Sequence, residues 1–564
     1  MRSMGAIAEQ AAGQADALRA RGFEVMRVVR PSGLFRRLLI TWRHFLGLLY
    51  GGLGAYVRAR REDGTGRGLK FLVLRGLAAV TTPFVDRRLR YEPFPVQLRR
   101  RLERLGPTYI KLGQILSLRE DLLPKPITNE LKHLLNRLPV VPLPILAAII
   151  EQDLKQPVDA MFLDIDPVPL GSASIGQTHR ATTRDGDPVI IKVVKPGIRE
   201  TLERDAKLLR MLGSILQLMI PRFQPRQLVN EFCDYTLREV DLRREADNAE
   251  TFSANFTDLP DIIFPEIYRS FSGRSVLTME FFDGMSPDSA EAQGLPEDQR
   301  RHLTEIGAQA IIRMLYRDGF FHADLHPGNL IILPGPKIGF IDLGMVGRLD
   351  EELRRTLLYY YFALVMGDAE NSARYLSAIA SPGPDANPNG FRREAAEIAN
   401  RWRRSSNFEE YSLGQLILDS VSRGAQYGMF FPVEMVLMVK ALVTFEGVGH
   451  VLLPGFDVAE VSKKHIRTLF IHQFSPLRLL AEGMRGAPDL VDAFAKMPLL
   501  VTDGLRVLEK VARQPSENPL KGLRGTLIAG SCLVAGAISM GFGAPWMVWG
   551  ALFVIAFFLA IRKG

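Results

Sequence analysis

The residues best suited to chemistry lie in the stretch FHADLHPGN, residues 321–329. It brings His322, Asp324, His326 and Asn329 within nine positions, directly after the apolar run IIRMLYRDGF. Two kinds of site fit this composition. A cluster of histidine and aspartate can bind a metal ion. An aspartate followed five residues later by an asparagine can instead be the catalytic loop of a phosphotransferase.

A phosphotransferase needs further groups, and the chain supplies them in the expected order. The run PVIIKVV places Lys192 on a strand, where it can bind the α- and β-phosphates, and LRREADNAE supplies Glu245 to hold that lysine. Downstream, IGFIDLG predicts a strand that ends at Asp342. We therefore expect Asn329 and Asp342 to hold Mg²⁺ and Asp324 to position or deprotonate the nucleophile.

Each of these signals is weak alone, because a strand lysine is usually solvated and Asp324 could be a helix cap. Their order is specific and favours the phosphotransferase over the metal site. The two histidines lie in a loop with Pro327 and Gly328, and no third ligand is near. We expect His322 to orient the loop and His326 to contact substrate or backbone.

The segment before Lys192 differs from that of an ordinary protein kinase. No G-x-G-x-x-G precedes the lysine, and PLGSASIGQTHRA, residues 169–181, takes its place. Its small residues let the backbone approach phosphates, although alanine and serine allow fewer conformations than glycine. Four residues of this segment are predicted to contact the nucleotide: Gly171, Ser172, Ala173 and Ser174.

The elements that position these residues suggest an α+β enzyme with two lobes, because a β-rich segment precedes a helix-rich one. With 564 residues, 47% apolar and 24% charged, the chain is long enough for two to four folded domains. Its two cysteines make a disulfide framework or a structural zinc site improbable. The predicted regions are a basic helical region (1–94), a helical extension (95–160), a β-containing lobe (161–284), a helical lobe (285–513), a linker (514–522) and a hydrophobic segment (523–564).

Both ends of the chain suggest a membrane. The N-terminal 61 residues interleave eight arginines from Arg27 to Arg61 with apolar runs, which suits a helix at an anionic membrane surface or one packed on the protein's own core. Between Arg524 and Arg562 there is no charged residue, and Gly543-Ala544-Pro545 interrupts the run. We expect two short transmembrane helices there, both ends facing the cytoplasm. No nucleic-acid-binding module is recognisable, so we expect no nucleic-acid partner.

These motifs resemble those of the UbiB family of atypical kinase-like proteins, which is linked to ubiquinone (coenzyme Q) biosynthesis. The matching segments are LGPTYIKLGQILSLREDLLP (105–124), ASIGQTHRA (173–181), VIIKVVKPGI (189–198), LREVDLRREADN (237–248), LTMEFFDG (277–284), FHADLHPGN (321–329) and FIDLGMVG (340–347). The family's own K-x-G-Q signature is Lys111 to Gln114. The family loop is alanine-rich, so Gly171 leaves the preference between ATP and ADP open.

The resemblance implies a protein-kinase-like two-lobed fold with a helical N-terminal K-x-G-Q extension and a C-terminal transmembrane helical hairpin. It implies ATP or ADP with Mg²⁺ as cofactors, and Glu280 of LTMEFFDG as a further nucleotide-site residue. The extension would fold over the active site, so ATP hydrolysis or small-molecule phosphorylation is expected rather than protein phosphorylation. The implied partners are the lipid membrane, prenylated quinone precursors and ubiquinone-biosynthesis enzymes, at the bacterial inner membrane with the kinase-like domain facing the cytoplasm. Two alternatives stay open, an aminoglycoside- or choline-kinase-type enzyme and a non-catalytic, ATP-gated scaffold that binds prenyl lipids.

The family's E-x-D motif, Glu239 and Asp241, adds a geometric expectation. On one continuous α-helix these two residues lie about 200° apart, whereas Asp241 and Glu245 share a face. We therefore expect Asp241 and Glu245 to face the nucleotide and Glu239 to reach the K-x-G-Q extension, where Lys111 and Gln114 share a face. The alternative is surface pairing of Glu239 and Asp241 with nearby arginines.

Overall fold

The computed structural model describes residues 4–26, 33–117, 123–134, 139–219, 225–383, 385–404 and 413–455, together with residues 535, 547, 548 and 550–554. The chain divides into two compact units, Met1–His472 and Gln473–Gly564. The predicted linker (514–522) lies outside the described residues, and so does the predicted hairpin (523–564) apart from the few positions just given.

The N-terminal third of the chain is helical. Its helices are α1 (Met4–Ala20), α2 (Leu34–Glu62), α3 (Leu69–Thr81), α4 (Phe94–Leu105), α5 (Pro107–Ser117), α6 (Lys125–Leu131), α7 (Leu143–Leu154) and α8 (Val158–Met161). Prolines in the first turn start α4, α6 and α7, where the missing N–H costs nothing. Gly106, with φ of +95°, separates α4 from α5, which begins at Pro107.

A five-stranded antiparallel sheet follows, in the order β1-β3-β4-β6 with β2 paired to β3. Its strands are β1 (Phe162–Ile165), β2 (Gly171–Ser172), β3 (Gly176–Thr183), β4 (Pro188–Val194) and β6 (Val276–Glu280). Between β4 and β6 come α9 (Ile198–Met219), α10 (Pro225–Glu239), α11 (Leu242–Asn255) and the short β5 (Ile262–Ile263).

The alternation along β4 decides which way its lysine points. Val189, Ile191 and Val193 are buried in one core cluster with α7 and β1. Because successive side chains of a strand point to opposite faces, Lys192 lies on the other face, where α11 packs.

The second half is mostly helical, which confirms the predicted α+β order. Its elements are α12 (Ala290–Gln293), α13 (Glu297–Ile312), β7 (Phe320–His322), β8 (Leu330–Leu333), β9 (Lys337–Phe340), β10 (Val346–Arg348), α14 (Glu351–Val365), α15 (Ala369–Ile379), β11 (Ser381–Pro382), α16 (Pro388–Arg404), α17 (Leu413–Gly424), β12 (Met429–Phe430) and α18 (Val433–Leu452). The small strands form three further sheets, β7 with β10, β11 with β12, and β8-β9 with β5.

Among the described residues, α18 is the one helix long and apolar enough to cross a membrane. Most of it is buried in the helical lobe, and two of its charged side chains have partners there. Glu446 accepts a hydrogen bond from the backbone N–H of Gly414 at 2.9 Å, and Lys440 contacts Asp324. These contacts are those of a core helix in a folded domain.

Candidate functional site

Three of the predicted residues meet where β4, α11 and the turn after β9 come together. Lys192 Nζ on β4 lies 2.7 Å and 2.9 Å from the two carboxylate oxygens of Glu245 on α11. The same ammonium lies 2.8 Å from Oδ1 of Asp342, which follows β9. Residues that are 150 positions apart in the chain therefore share one charged cluster, as the motif order predicts.

Charge and burial act against each other in this cluster. Burial raises the pKa of Glu245 to about 6, although the Lys192 ammonium opposes the rise. Removal from water also disfavours the charged form of Asp342. The Lys192 ammonium outweighs that effect and holds the pKa of Asp342 below its ordinary value. Burial disfavours the charged form of Lys192, yet Asp342 and Glu245 together raise its pKa above the ordinary value. At neutral pH these shifts keep the lysine and Asp342 charged.

Asp342 has an unusual backbone conformation. Its φ is +52°, a left-handed value that aspartate tolerates better than most residues. The turn is held to α11 by Asn248, whose side-chain amide donates to the Leu343 carbonyl at 3.0 Å. At Gly344 a Cβ atom would lie 3.3 Å from a Glu245 oxygen, so this glycine allows the close approach. Strained backbone of this kind is common at functional sites.

The helical geometry expected for Glu239 and Asp241 is wrong, because the two residues do not lie on one continuous helix. α10 ends at Glu239, and Asp241 is the N-cap of α11, where its side chain accepts from the Arg243 backbone N–H. Its carboxylate also pairs with the Arg243 guanidinium at 2.7 Å and lies 3.7 Å from Arg274. Asp241 therefore starts the helix that carries Glu245 and does not join the charged cluster.

Glu239 of the E-x-D motif contacts Lys111 of the K-x-G-Q extension, as the sequence analysis predicts. The Lys111 ammonium on α5 forms an ion pair with Glu239 at the end of α10. Lys111 is buried, which excludes the interpretation of this lysine as a solvated helix edge. Gln114 lies three residues further along α5 and is partly buried.

The loop after β7 is organised by its two histidines. Buried His322 accepts the Asp324 backbone N–H at Nδ1 (3.0 Å) and donates from Nε2 to the Ile341 carbonyl (3.3 Å), and burial lowers its pKa. His326 accepts the Gly328 backbone N–H at 3.0 Å and caps the short turn before β8. The described part of the chain contains no group of three metal-ligating His, Cys, Asp or Glu residues. The histidines therefore shape the loop, and Asn329 closes it by donating to the Asp324 carbonyl at 2.9 Å.

The structure adds Lys440, which the sequence interpretation missed. Its ammonium lies 2.7 Å from Oδ1 of Asp324, and His326 Nε2 lies 3.9 Å from the other oxygen. Lys440 follows Asp324 by 116 residues, so no spacing rule connects them. The sequence signal that could have pointed to Lys440 was a single lysine within the apolar run VEMVLMVKALV.

The small-residue loop forms a tight hairpin beside β4. Gly171 and Ser172 pair with Thr178 and Gln177. The Ala173 carbonyl accepts from buried Lys195 at 2.8 Å, a second lysine that sequence interpretation missed, and burial lowers the pKa of Lys195 to about 8. The predicted nucleotide contacts thus lie on one hairpin, with Ser174 at its turn.

Glu280 lies apart from the charged cluster. It ends β6, and its carboxylate accepts the backbone N–H of Glu266 at 3.2 Å. Its position at the end of a strand that pairs with β4 places it in the same lobe as Lys192.

A cavity of about 750 Å³ adjoins the cluster. Its polar lining includes Glu239, Asp241 and Glu245, and its apolar lining is contributed by Phe430, Phe431, Pro432, Val433 and Leu437. Two buried oxygens at this cavity, Tyr235 Oη and Glu239 Oε2, have no hydrogen-bond partner among the described residues. Buried polar atoms without partners are rare in native proteins, so these two suit a bound molecule.

Comparisons with known proteins match two segments of this chain to family models. The ABC1 atypical kinase-like domain matches residues 133–376, and the UbiB helical domain matches residues 404–457, which include Lys440. Two relatives named probable protein kinase UbiB, from Vibrio vulnificus strains YJ016 and CMCP6, are each 31% identical over 471 residues, covering 82% of this chain and 86% of theirs.

A solved structure, the complex of Rv3197 with erythromycin from Mycobacterium tuberculosis, is 23% identical and covers 64% of this chain and 93% of its own, with a TM-score of 0.44. That score is too low to support any further argument. The fold is kinase-like by the domain match, with mixed sheet and helix. The chain belongs to the UbiB family of atypical kinase-like proteins.

Proposed function

We propose that this protein is a membrane-anchored, kinase-like ATP-binding enzyme that supports ubiquinone biosynthesis by ATP hydrolysis or phosphorylation of a small molecule. The observation that carries the proposal is the contact of Lys192 with both Glu245 and Asp342. A lysine held between an αC-type glutamate and a metal-binding aspartate is the arrangement that phosphoryl transfer requires. The names of the Vibrio relatives agree with kinase chemistry.

The donor atoms fit MgATP or MgADP. Asp342 offers carboxylate oxygens and Asn329 an amide oxygen, the hard ligands that Mg²⁺ takes in small number while keeping several waters. Lys192 would bind the α- and β-phosphates, and the hairpin from Gly171 to Ser174 would cover them. When bound, Mg²⁺ neutralises the phosphate charge.

Asp324 and Lys440 act as a pair. Asp324 accepts the proton of the attacking hydroxyl or water, or orients it, and His322 fixes the loop that carries it. The Lys440 ammonium, 2.7 Å from the Asp324 carboxylate, supplies positive charge beside the site where negative charge accumulates.

The Lys111–Glu239 pair favours a small acceptor over a protein. It joins α5 to α10 beside the cleft, where a protein kinase would receive a peptide, and so serves as a lid. The adjoining cavity offers an apolar wall and two oxygens without partners, which suits a molecule with a hydroxylated ring and an apolar chain, such as a prenylated quinone precursor.

A second candidate is an ATP-gated scaffold without turnover. The observation favouring it is that Lys440 already occupies an oxygen of Asp324. The aminoglycoside- and choline-kinase alternative is set aside, because the chain belongs to the UbiB family.

The uncharged segment 523–564 would anchor the protein in the bacterial inner membrane with the kinase-like domain in the cytoplasm. Quinone precursors and the ubiquinone-biosynthesis enzymes would then be its partners.

Quinone profiling of a bacterial strain lacking its own copy tests the proposal. Wild type and the exposed-site control Asp164→Asn should restore ubiquinone, whereas Asp342→Asn should not, at equal protein level. Full restoration by Asp342→Asn would contradict a nucleotide-dependent role.

A further inference from the structure

The helix α3 presents its apolar side to solvent. Leu69, Leu72, Val73, Leu77 and Val80 are between 52% and 79% exposed. At 100° per residue these five side chains occupy an arc of about 140°, while Ala78 lies on the opposite side and is buried. α3 packs against α2 by that narrow inner side. An exposed apolar stripe of this width on a soluble surface marks an interaction site.

Charge surrounds the stripe on both sides. Lys70 and Arg75 flank the five apolar residues, and Phe84, 75% exposed, extends the stripe beyond the helix. From Arg58 to Arg90 the chain carries nine basic and three acidic residues. A helix with an apolar face and basic flanks is typical of interfacial membrane binding.

We propose that the exposed face of α3 inserts into the interfacial plane of an anionic lipid bilayer. With 13 residues, α3 is about 20 Å long, too short to cross a hydrocarbon core of about 30 Å, so it lies along the surface. A second copy of the chain is a poorer occupant, because it would bring the same positive charge to the contact. The proposal adds a second attachment to the proposed hairpin and does not depend on the nucleotide chemistry.

The test uses the full chain reconstituted in vesicles, with Cys532→Ser to remove a competing thiol and native Cys233 left buried. Leu72→Cys and Val80→Cys carry a fluorophore, and Leu163→Cys, 55% exposed on β1, is the matched control. Vesicles contain phosphatidylcholine alone or with phosphatidylglycerol, and brominated lipids serve as quenchers. We expect quenching at positions 72 and 80 several-fold above that at 163, falling when the anionic lipid is omitted.

Equal quenching at all three positions would overturn the proposal. Efficient cross-linking between two chains of the Leu72→Cys variant, without lipid quenching, would assign the face to a second copy instead. Flotation of the vesicles separately measures anchoring by the proposed hairpin. A MgATP-induced thermal shift measures binding at the nucleotide site. Failure of the α3 contact is therefore distinguishable from failure of the proposed function.

Discussion

The side chains of the charged cleft and those of the N-terminal helix α3 have opposite environments. In the cleft, charged side chains have oppositely charged partners: Lys192 with Glu245 and Asp342, Lys111 with Glu239, and Lys440 with Asp324. On α3, apolar residues remain in water while charges lie at the rim. A buried charge without a partner is costly, so the cleft pairs its charges even without ligand.

The two regions therefore differ in how much their side chains contribute to the stability of the fold. In the cleft, the ion pair of Lys192 with Asp342 joins the β-containing lobe to the helical lobe. Within the part of the chain that the structure describes, the apolar stripe on α3 stays exposed, so its residues lack the packing constraint that governs α4 or β4. Substitutions in the two regions should therefore have very different costs.

The largest effect is expected from Glu245→Gln. The buried carboxylate is the partner of Lys192, and its loss leaves that ammonium with Asp342 alone. We expect destabilisation of about 1–3 kcal/mol and a weakened MgATP response. Glu250→Gln on the same helix is the matched control, because its ion pair with Arg269 is half exposed and worth about 0–1 kcal/mol. Similar losses of stability in the two variants, measured by thermal unfolding, would contradict the expected difference between the buried and the half-exposed ion pair.

Next comes Lys440→Met. Phosphate release should fall on the order of 10- to 100-fold, because a positive charge beside the reacting group is lost. MgADP binding should be little changed, and Lys440→Arg should recover part of the rate. Unaltered turnover in Lys440→Met would mean that Lys440 serves packing alone.

Lys111→Ala and Glu239→Ala test the lid. Each should alter nucleotide turnover or allow autophosphorylation, and the double variant should add little to either single one, because the two residues act as a pair. Radiolabel transfer from ATP and phosphate release provide the readouts. Additive effects, or none in any variant, would count against a lid.

The smallest effect is expected on α3. Leu72→Ser should change the apparent melting temperature by no more than about 2 °C, because the side chain is already 61% exposed. Leu102→Ala, in the buried core of α4, should cost about 2–5 kcal/mol. A large loss of stability in Leu72→Ser would show that α3 is packed against protein.

Much of the cleft could be predicted because its signals are local. A lysine at an alternating position of a strand, the D-x-x-x-x-N spacing and an aspartate at a strand end each follow from short-range geometry. Asp241 was misplaced because the interruption after Glu239 involves no glycine or proline, and its one sign was an aspartate suited to an N-cap.

Other features depend on tertiary structure alone. Lys440 reaches Asp324 through the packing of α18, and no local pattern encodes a contact between residues 116 positions apart. Periodicity likewise identifies an apolar stripe on a helix but does not say whether it faces inward or outward. The basic N-terminal segment was compatible with a membrane surface or with the protein's own core. In the structure α2 packs on that core, where Arg37 pairs with Asp205 and Thr41 contacts Tyr109.

The most direct test of the account is the thermal shift with MgATP. Binding at 100 times the dissociation constant stabilises a protein by about 2.7 kcal/mol, which is readily measured. Wild type and Asp164→Asn should both shift upward, whereas Asp342→Asn should show no Mg²⁺-dependent shift while its unliganded unfolding stays cooperative. An undiminished shift in Asp342→Asn would contradict the assignment of this aspartate and of the nucleotide site built around it.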